Sequence, residues 1–270
     1  MRVGFLQMAP AFVNPGESIK RIEAALKDAP MADLYVLPEL CNSGYSFLSR
    51  EQAESSAEST DGPFVTFLID QCRMKNCFIV SGLNEREGDD LYNSAVLVGQ
   101  AGIVGKYRKL HLYNNEPDFF EPGNFGLPVF EISGVRIGML VCFDWRFPEV
   151  WRIMALQGAD IVCLPSNIVD VNRTLRALPG HALCNHIFVV MCNRTGTEGE
   201  LTFGGRSTSF GPTGEVLIQA STDKTEAGVV DIDVNLARDK TASPRNHSLN
   251  DRRPAEYRLI VSDSREKGIR

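Results

Sequence analysis

Short apolar runs of strand length alternate with stretches of helical spacing along the chain, and the order is strand, helix, strand from the outset. Residues 2–8 alternate polar and apolar side chains, and Asn14-Pro15 followed by Glu17 then opens a helix through SIKRIEAALKDA. Residues 34–37 are almost wholly apolar, as expected of a strand covered on both faces. A helix is predicted at about 63–75, with strands at 78–82 and 94–98 on either side of the charged turn EREGDD and a further short strand near Ile103. Residues 113–127 carry Pro117, Pro122, Gly123 and Gly126 and read as a long loop of the kind that often serves function. The apolar strand 135–141 leads through Cys142 into FPEVWRIMALQG, which has helical spacing and Gly158 as its stop. Later strands at 161–164 and 188–192 flank a helix at about 174–185, and SFGPTGEVLIQA and AGVVDIDV are expected to be antiparallel hairpin strands. The pattern is that of an α/β protein. Without a linker or repeat, residues 1–270 read as one domain, with about 245–270 as a C-terminal arm.

Charge narrows the partners. With 28 Lys and Arg against 34 Asp and Glu the net charge is -6, so no net basic field exists to engage nucleic acid. Seven cysteines lack framework spacing, and Cys77, Cys142, Cys163, Cys184 and Cys192 lie in or beside apolar runs. They read as reduced thiols of a cytoplasmic protein. No leader with a cleavage site and no run of eighteen apolar residues is visible, so neither targeting nor membrane insertion is expected.

Three clusters carry the chemistry: LPEL ending at Leu40, KYRKLHLY at 106–113 and GMLVCFDWRFPE at 138–149. Each puts one reactive side chain, Glu39, Lys109 or Cys142, at or just beyond an apolar strand. A thiol nucleophile, a carboxylate to take its proton and an ammonium to neutralise an oxyanion suffice to cleave a carbon–nitrogen bond through a thioester. The strand-to-helix corner is expected to hold the Cys142 sulfur near a helix N-terminus, where the dipole favours thiolate. Taken singly, each has a bland alternative: a core cysteine, a solvated glutamate, a surface lysine. His111 reads as mainly structural. The histidines and cysteines show no metal-ligand spacing, and the glycines of FGGRS and GLNEREG make no phosphate loop or dinucleotide fingerprint. No cofactor is expected.

With these clusters in place, the chain resembles the nitrilase superfamily of carbon–nitrogen hydrolases. The likeness runs from VGFLQMAP through VLPELCNSGY, YRKLHLYNNEPDFFEPGN, IGMLVCFDWRFPE and LPSN to FGGRSTSFGPTGEVL. It implies a four-layer α-β-β-α sandwich that dimerises through helices and tail segments. By motif it implies a Glu39, Lys109 and Cys142 triad of base, oxyanion-stabilising cation and nucleophile, with Glu116 as a second glutamate positioning substrate or water. The backbone N–H of Phe143 would join Lys109 in the oxyanion site, and Asn167, Tyr45 and Arg173 are candidates for substrate contact. Asp144, Arg146 and Glu149 are expected to hold the nucleophile's corner by ion pairing.

Two departures from the family pattern matter. Phe143-Asp144 follows the cysteine where nitrilases proper usually have Trp-Glu, which resembles the amidase and carbamoylase branches. Cys184 in ALCNH stands where a glutamate is expected. The resemblance therefore implies hydrolysis of a small linear amide or carbamoyl compound with release of ammonia, with an aliphatic nitrilase as the alternative. A small-molecule amide or nitrile is the expected partner, alongside a second copy of the chain as a homodimer.

Overall fold

The structure, a computed structural model, describes residues 1–262. In chain order the first half holds β1 (Arg2–Gln7), α1 (Pro15–Asp28), β2 (Leu34–Val36), α2 (Arg50–Ser55), α3 (Pro63–Lys75), β3 (Phe78–Glu87), β4 (Asp90–Gly99) and β5 (Gly102–Arg108). There follow β6 (Val129–Ile132), β7 (Val135–Met139), α4 (Pro148–Leu156), β8 (Ile161–Ser166), α5 (Val171–Asn185) and β9 (Phe188–Asn193). The remainder comprises β10 (Thr197–Glu198), β11 (Leu201–Thr202), β12 (Thr208–Phe210), β13 (Val216–Gln219), β14 (Glu226–Asp231), α6 (Asn235–Arg238), β15 (Thr241–Ser243) and β16 (Asn246–His247).

Two six-stranded sheets form the centre, ordered β14-β1-β2-β3-β4-β5 and β13-β12-β9-β8-β7-β6. Strands β1, β2 and β3 run parallel, as do β7, β8 and β9, while the outer pairs are antiparallel. Period-two alternation assigns each side chain to a layer. Val3, Phe5, Leu34 and Val36 face the second sheet and join a core with Ile137, Met139, Ile161 and Val189. Their neighbours Leu6, Tyr35 and Leu37 face the other way, onto Ile22 and Leu26 of α1 and Phe64 and Leu68 of α3. Helices α4 and α5 cover the outer face of the second sheet, giving α-β-β-α layering. Each fully buried aliphatic side chain in these layers contributes roughly 1.5–3 kcal/mol.

The local signals hold where they are strong. Asn14 caps α1 by accepting the Glu17 N–H at 3.0 Å, and Gly158, at φ +81, ends the α4 region. Two expectations need correction. EREGDD is largely strand: β3 extends to Glu87 and β4 begins at Asp90, because Glu85 turns inward onto Arg108 and Lys106 of β5. SFGPTGEVLIQA forms an antiparallel hairpin of β12 and β13 in the second sheet, but residues 226–231 join no hairpin and pair antiparallel with β1 in the first. Among the described cysteines, Cys184 is exposed, on α5. Of the expected arm, Pro254–Val261 forms a 3-10 segment with Leu259, Ile260 and Val261 exposed, and residues 263–270 lie outside the described residues. No helix among the described residues is long and apolar enough to cross a membrane.

Candidate active site

Parallel strands direct their carboxyl ends to one edge of each sheet, and reactive groups gather beyond such ends. Glu39 follows β2, where the backbone stays paired with β3: Leu37 N–H donates to Val80 at 2.8 Å, Gly82 N–H to Pro38 at 3.0 Å and Cys41 N–H to Gly82 at 3.2 Å. Only glycine fits at 82, because a Cβ there would lie 2.4 Å from the Glu39 Cα. Lys109 follows β5, its N–H donating to the Asn93 carbonyl at 2.9 Å. Glu116 opens the single 3-10 turn (Glu116–Asp118) in the long loop and is buried.

These three side chains converge. Lys109 Nζ lies 2.8 Å from Glu39 Oε1 and 2.8 Å from Glu116 Oε1, with lysine and Glu39 fully buried. Asn93 Nδ2 donates to the same Glu39 oxygen at 2.7 Å, leaving Oε2 buried without a partner. An unpartnered buried carboxylate oxygen is costly, and it is the atom placed to accept a proton. Burial disfavours the Lys109 ammonium, but the Glu116 and Glu39 carboxylates outweigh it and raise its pKa. Burial raises that of Glu116, opposed by Lys109.

Cys142 sits at φ +43, a strained conformation for a side chain with a Cβ. Asp144 folds the chain into it: its Oδ2 accepts the Val141 N–H at 2.9 Å and the Tyr107 hydroxyl at 2.7 Å, and its Oδ1 meets His111 Nδ1 at 2.7 Å. The nucleophile's corner is thereby tied to the strand that carries Lys109. Asp144 holds it through these hydrogen bonds, whereas Arg146 and Glu149 are exposed and form no ion pair among the described residues. His111, stacked on Phe147 at 3.6 Å, is structural. Asn167, just beyond β8, links the two halves, its Nδ2 donating to the Glu39 carbonyl at 3.1 Å.

The electrostatics of the thiol differ from the sequence expectation. A 3-10 turn, Cys142–Arg146, intervenes before α4 starts at Pro148, so the sulfur does not sit at that helix's N-terminus. Burial first and Glu39 second push the Cys142 thiol well above its usual range, against the pull of Lys109. Burial and the neighbouring carboxylate thus disfavour the thiolate form of Cys142.

A family model described as carbon–nitrogen hydrolase matches residues 2–241. The chain belongs to the carbon–nitrogen hydrolase family. It is 42% identical over 260 residues to a nitrilase of Pyrococcus abyssi, covering 95% of this chain and 99% of that protein. It is 34% identical over 260 residues to an (R)-stereoselective amidase of a Pseudomonas species, covering 94% and 92%. An amidase from Nesterenkonia sp. superposes with a TM-score of 0.79 at 26% identity, covering 96% of this chain and 95% of that one. A mutant of the amidase from Nesterenkonia sp. AN1, showing Michael addition of acrylamide at its active-site cysteine, has a TM-score of 0.75 at 27% identity and covers 90% of this chain and 97% of that one.

Of the other candidates in this carbon–nitrogen hydrolase, Tyr45 lies close to the cluster: burial first, then the Glu116 and Glu39 carboxylates and the Cys142 sulfur, push its hydroxyl pKa well above the usual range. Phe143 lies against the Tyr113 ring at 5.0 Å. Arg173 is not brought in: it is exposed on α5 and pairs with Asp170 at 3.2 Å, and Arg176 is exposed too. Two surface grooves, one along α1 and β14 and one beside Phe203 and Arg206, are lined by none of Glu39, Lys109, Glu116 or Cys142. No group of three or more His, Cys, Asp or Glu among the described residues is arranged to hold a metal ion. Sequence reasoning missed Arg194 and Glu198, a buried pair at 2.7 Å, since only the fold brings their polar hairpin against Tyr45.

Proposed function

We propose that the protein hydrolyses a small linear amide or carbamoyl compound through a Cys142 thioester, releasing ammonia. The observation that carries this reading is the buried Glu39–Lys109–Glu116 cluster beside a buried thiol, with Glu39 Oε2 left unpartnered. The thiol proton passes to Glu39 as sulfur attacks the carbonyl carbon, so no free thiolate need accumulate. The oxyanion forms against the Lys109 ammonium and the Phe143 N–H. One such preorganised donor typically contributes about 10²–10³ in rate. Collapse breaks the carbon–nitrogen bond, and Glu39 returns its proton to the departing nitrogen as ammonia. Glu39 then takes a proton from water as the water oxygen attacks the thioester carbon, and gives that proton to the departing sulfur, so the acid is released and the Cys142 thiol and Glu39 carboxylate are restored. Glu116 holds Lys109 in place throughout and keeps its charge directed at the oxyanion. Tyr45 and Asn167 flank the acyl group, and the exposure of Arg173 gives it no part in binding.

A second reading has its own support in the 42% identity to a nitrilase. There the same thiol adds to a nitrile carbon, and two waters are consumed before the acid and ammonia are released. Ammonia release measured across short amides, ureido acids and nitriles separates the readings. Turnover of amides or ureido acids is expected, and turnover of nitriles alone would reassign the enzyme.

A further inference from the structure

Asn93 is a buried polar residue of β4, outside the three sequence clusters that carry the reacting groups. Strand alternation turns its neighbour Ser94 to the opposite face, where the Ser94 hydroxyl donates to Glu85, and leaves Asn93 on the face of the site. Asn93 engages both charged residues of the centre. Its Nδ2 donates to Glu39 Oε1 at 2.7 Å, and its carbonyl accepts the Lys109 N–H at 2.9 Å. Chemistry sets the orientation of the amide, because an ionised carboxylate only accepts and so selects the nitrogen over the oxygen. Asn93 Oδ1 is left buried with no partner among the described residues. A buried acceptor left unmatched costs stability, so filling the core is not what this amide does best there.

Glu39 Oε1 also accepts from Lys109 Nζ at 2.8 Å, so two donors act on one oxygen and Oε2 has none. Lysine alone would not distinguish the two oxygens, since a carboxylate turns about its terminal bond over a broad, two-fold range. The amide supplies a second, fixed direction.

We infer, resting on the amide-hydrolase reading, that Asn93 is the positioning residue of the general base: its amide pins Glu39 Oε1 and so leaves Oε2 as the oxygen that takes the Cys142 proton. Asn93 acts only through Glu39. The groups facing Glu39 from the surrounding elements are Lys109, Glu116, Cys142, Tyr45 and Asn167. A donor to a carboxylate favours its charged form, so loss of the Asn93 amide favours protonated Glu39. The acid limb of the pH profile must then move to higher pH.

The test compares wild type with Asn93→Leu and Asn93→Asp, both close to asparagine in size. The first removes the donor, and the second puts a like charge in its place. Two pH profiles are recorded: kcat/KM for amide hydrolysis, and the rate of iodoacetamide alkylation mapped to Cys142, which needs no substrate assignment. In Asn93→Leu, kcat should fall by about tenfold to a hundredfold with KM held within about twofold, and both acid limbs should rise by about one pH unit. Asn93→Asp should move the limbs further in the same direction. A lower melting temperature with unmoved limbs, or a loss confined to KM, is the result of a merely structural asparagine and overturns the inference. If the alkylation limb moves as expected while no amide is turned over, the amide reading fails and the positioning role stands. If amides turn over and the alkylation limb is unmoved, the positioning role alone fails. Should neither variant fold, Asn93→Ala and Asn93→Ser are read in the same two profiles, and unmoved limbs there overturn it.

Discussion

Replacing Gly82 with alanine should disable the site without altering any reacting side chain. The added Cβ would lie 2.4 Å from both the Glu39 Cα and the Leu40 nitrogen, whereas ordinary contact begins at 3.4 Å. Both obstructions are backbone, so no rotamer change relieves them, and the Glu39 segment must retreat by about 1 Å. Hydrogen bonds on either side, Gly82 N–H to Pro38 and Cys41 N–H to Gly82, transmit that retreat to the base. A misplacement of this size costs about a hundredfold in rate, and overpacking costs about 1–3 kcal/mol of stability. The assay is kcat for ammonia release with thermal unfolding measured in parallel. Gly180→Ala serves as the control, since nothing lies within 4 Å of a Cβ on that α5 residue and the change should be neutral or stabilising. Gly82→Ala with wild-type kcat would refute the claim that Glu39 is placed by this backbone contact.

Further outcomes follow from the same geometry. Glu39→Gln should lower ammonia release by about 10²–10⁴-fold, read as kcat under saturating amide, because an amide oxygen cannot take the thiol proton. Asp144→Ala leaves the Val141 N–H, the Tyr107 hydroxyl and His111 without their acceptor, and denaturant unfolding should show a loss of more than about 3 kcal/mol. Burial would raise the Glu85 pKa, but Arg108, Lys106 and Ser94 hold it below the usual 4.5. A depressed carboxylate contributes stability above its unfolded pKa and loses it as pH falls through the folded value. Unfolding free energy should therefore drop below pH 4.5, with a shallower slope in Glu85→Gln.

The layers were legible in the sequence wherever both faces of a strand are covered. Residues 34–36, 161–165 and 188–192 are apolar, and no polar pattern competes. Legibility failed where a distant partner neutralises a charge. EREGDD looks like a turn until Glu85 meets Arg108 across the sheet, and the paired sheet edges at 216–219 and 226–231 depend on β1 and β12. The identities of Glu39, Lys109 and Cys142 stood out because reactive groups follow apolar strands, and the fold brings Lys109 between Glu39 and Glu116. Their electrostatics did not, because the turn at 142–146 is set by Asp144 reaching Tyr107 and His111. Arg173 was a candidate for substrate contact, yet the start of α5 turns it outward onto Asp170.

The convergence of these groups on one sulfur is tested most directly by intact-protein mass spectrometry of the enzyme quenched during turnover of a small amide. The account predicts a species heavier by the substrate less one ammonia, mapped to Cys142, and absent in Cys142→Ala. Turnover with no such adduct, or an adduct mapped to another cysteine such as the exposed Cys184, would contradict it.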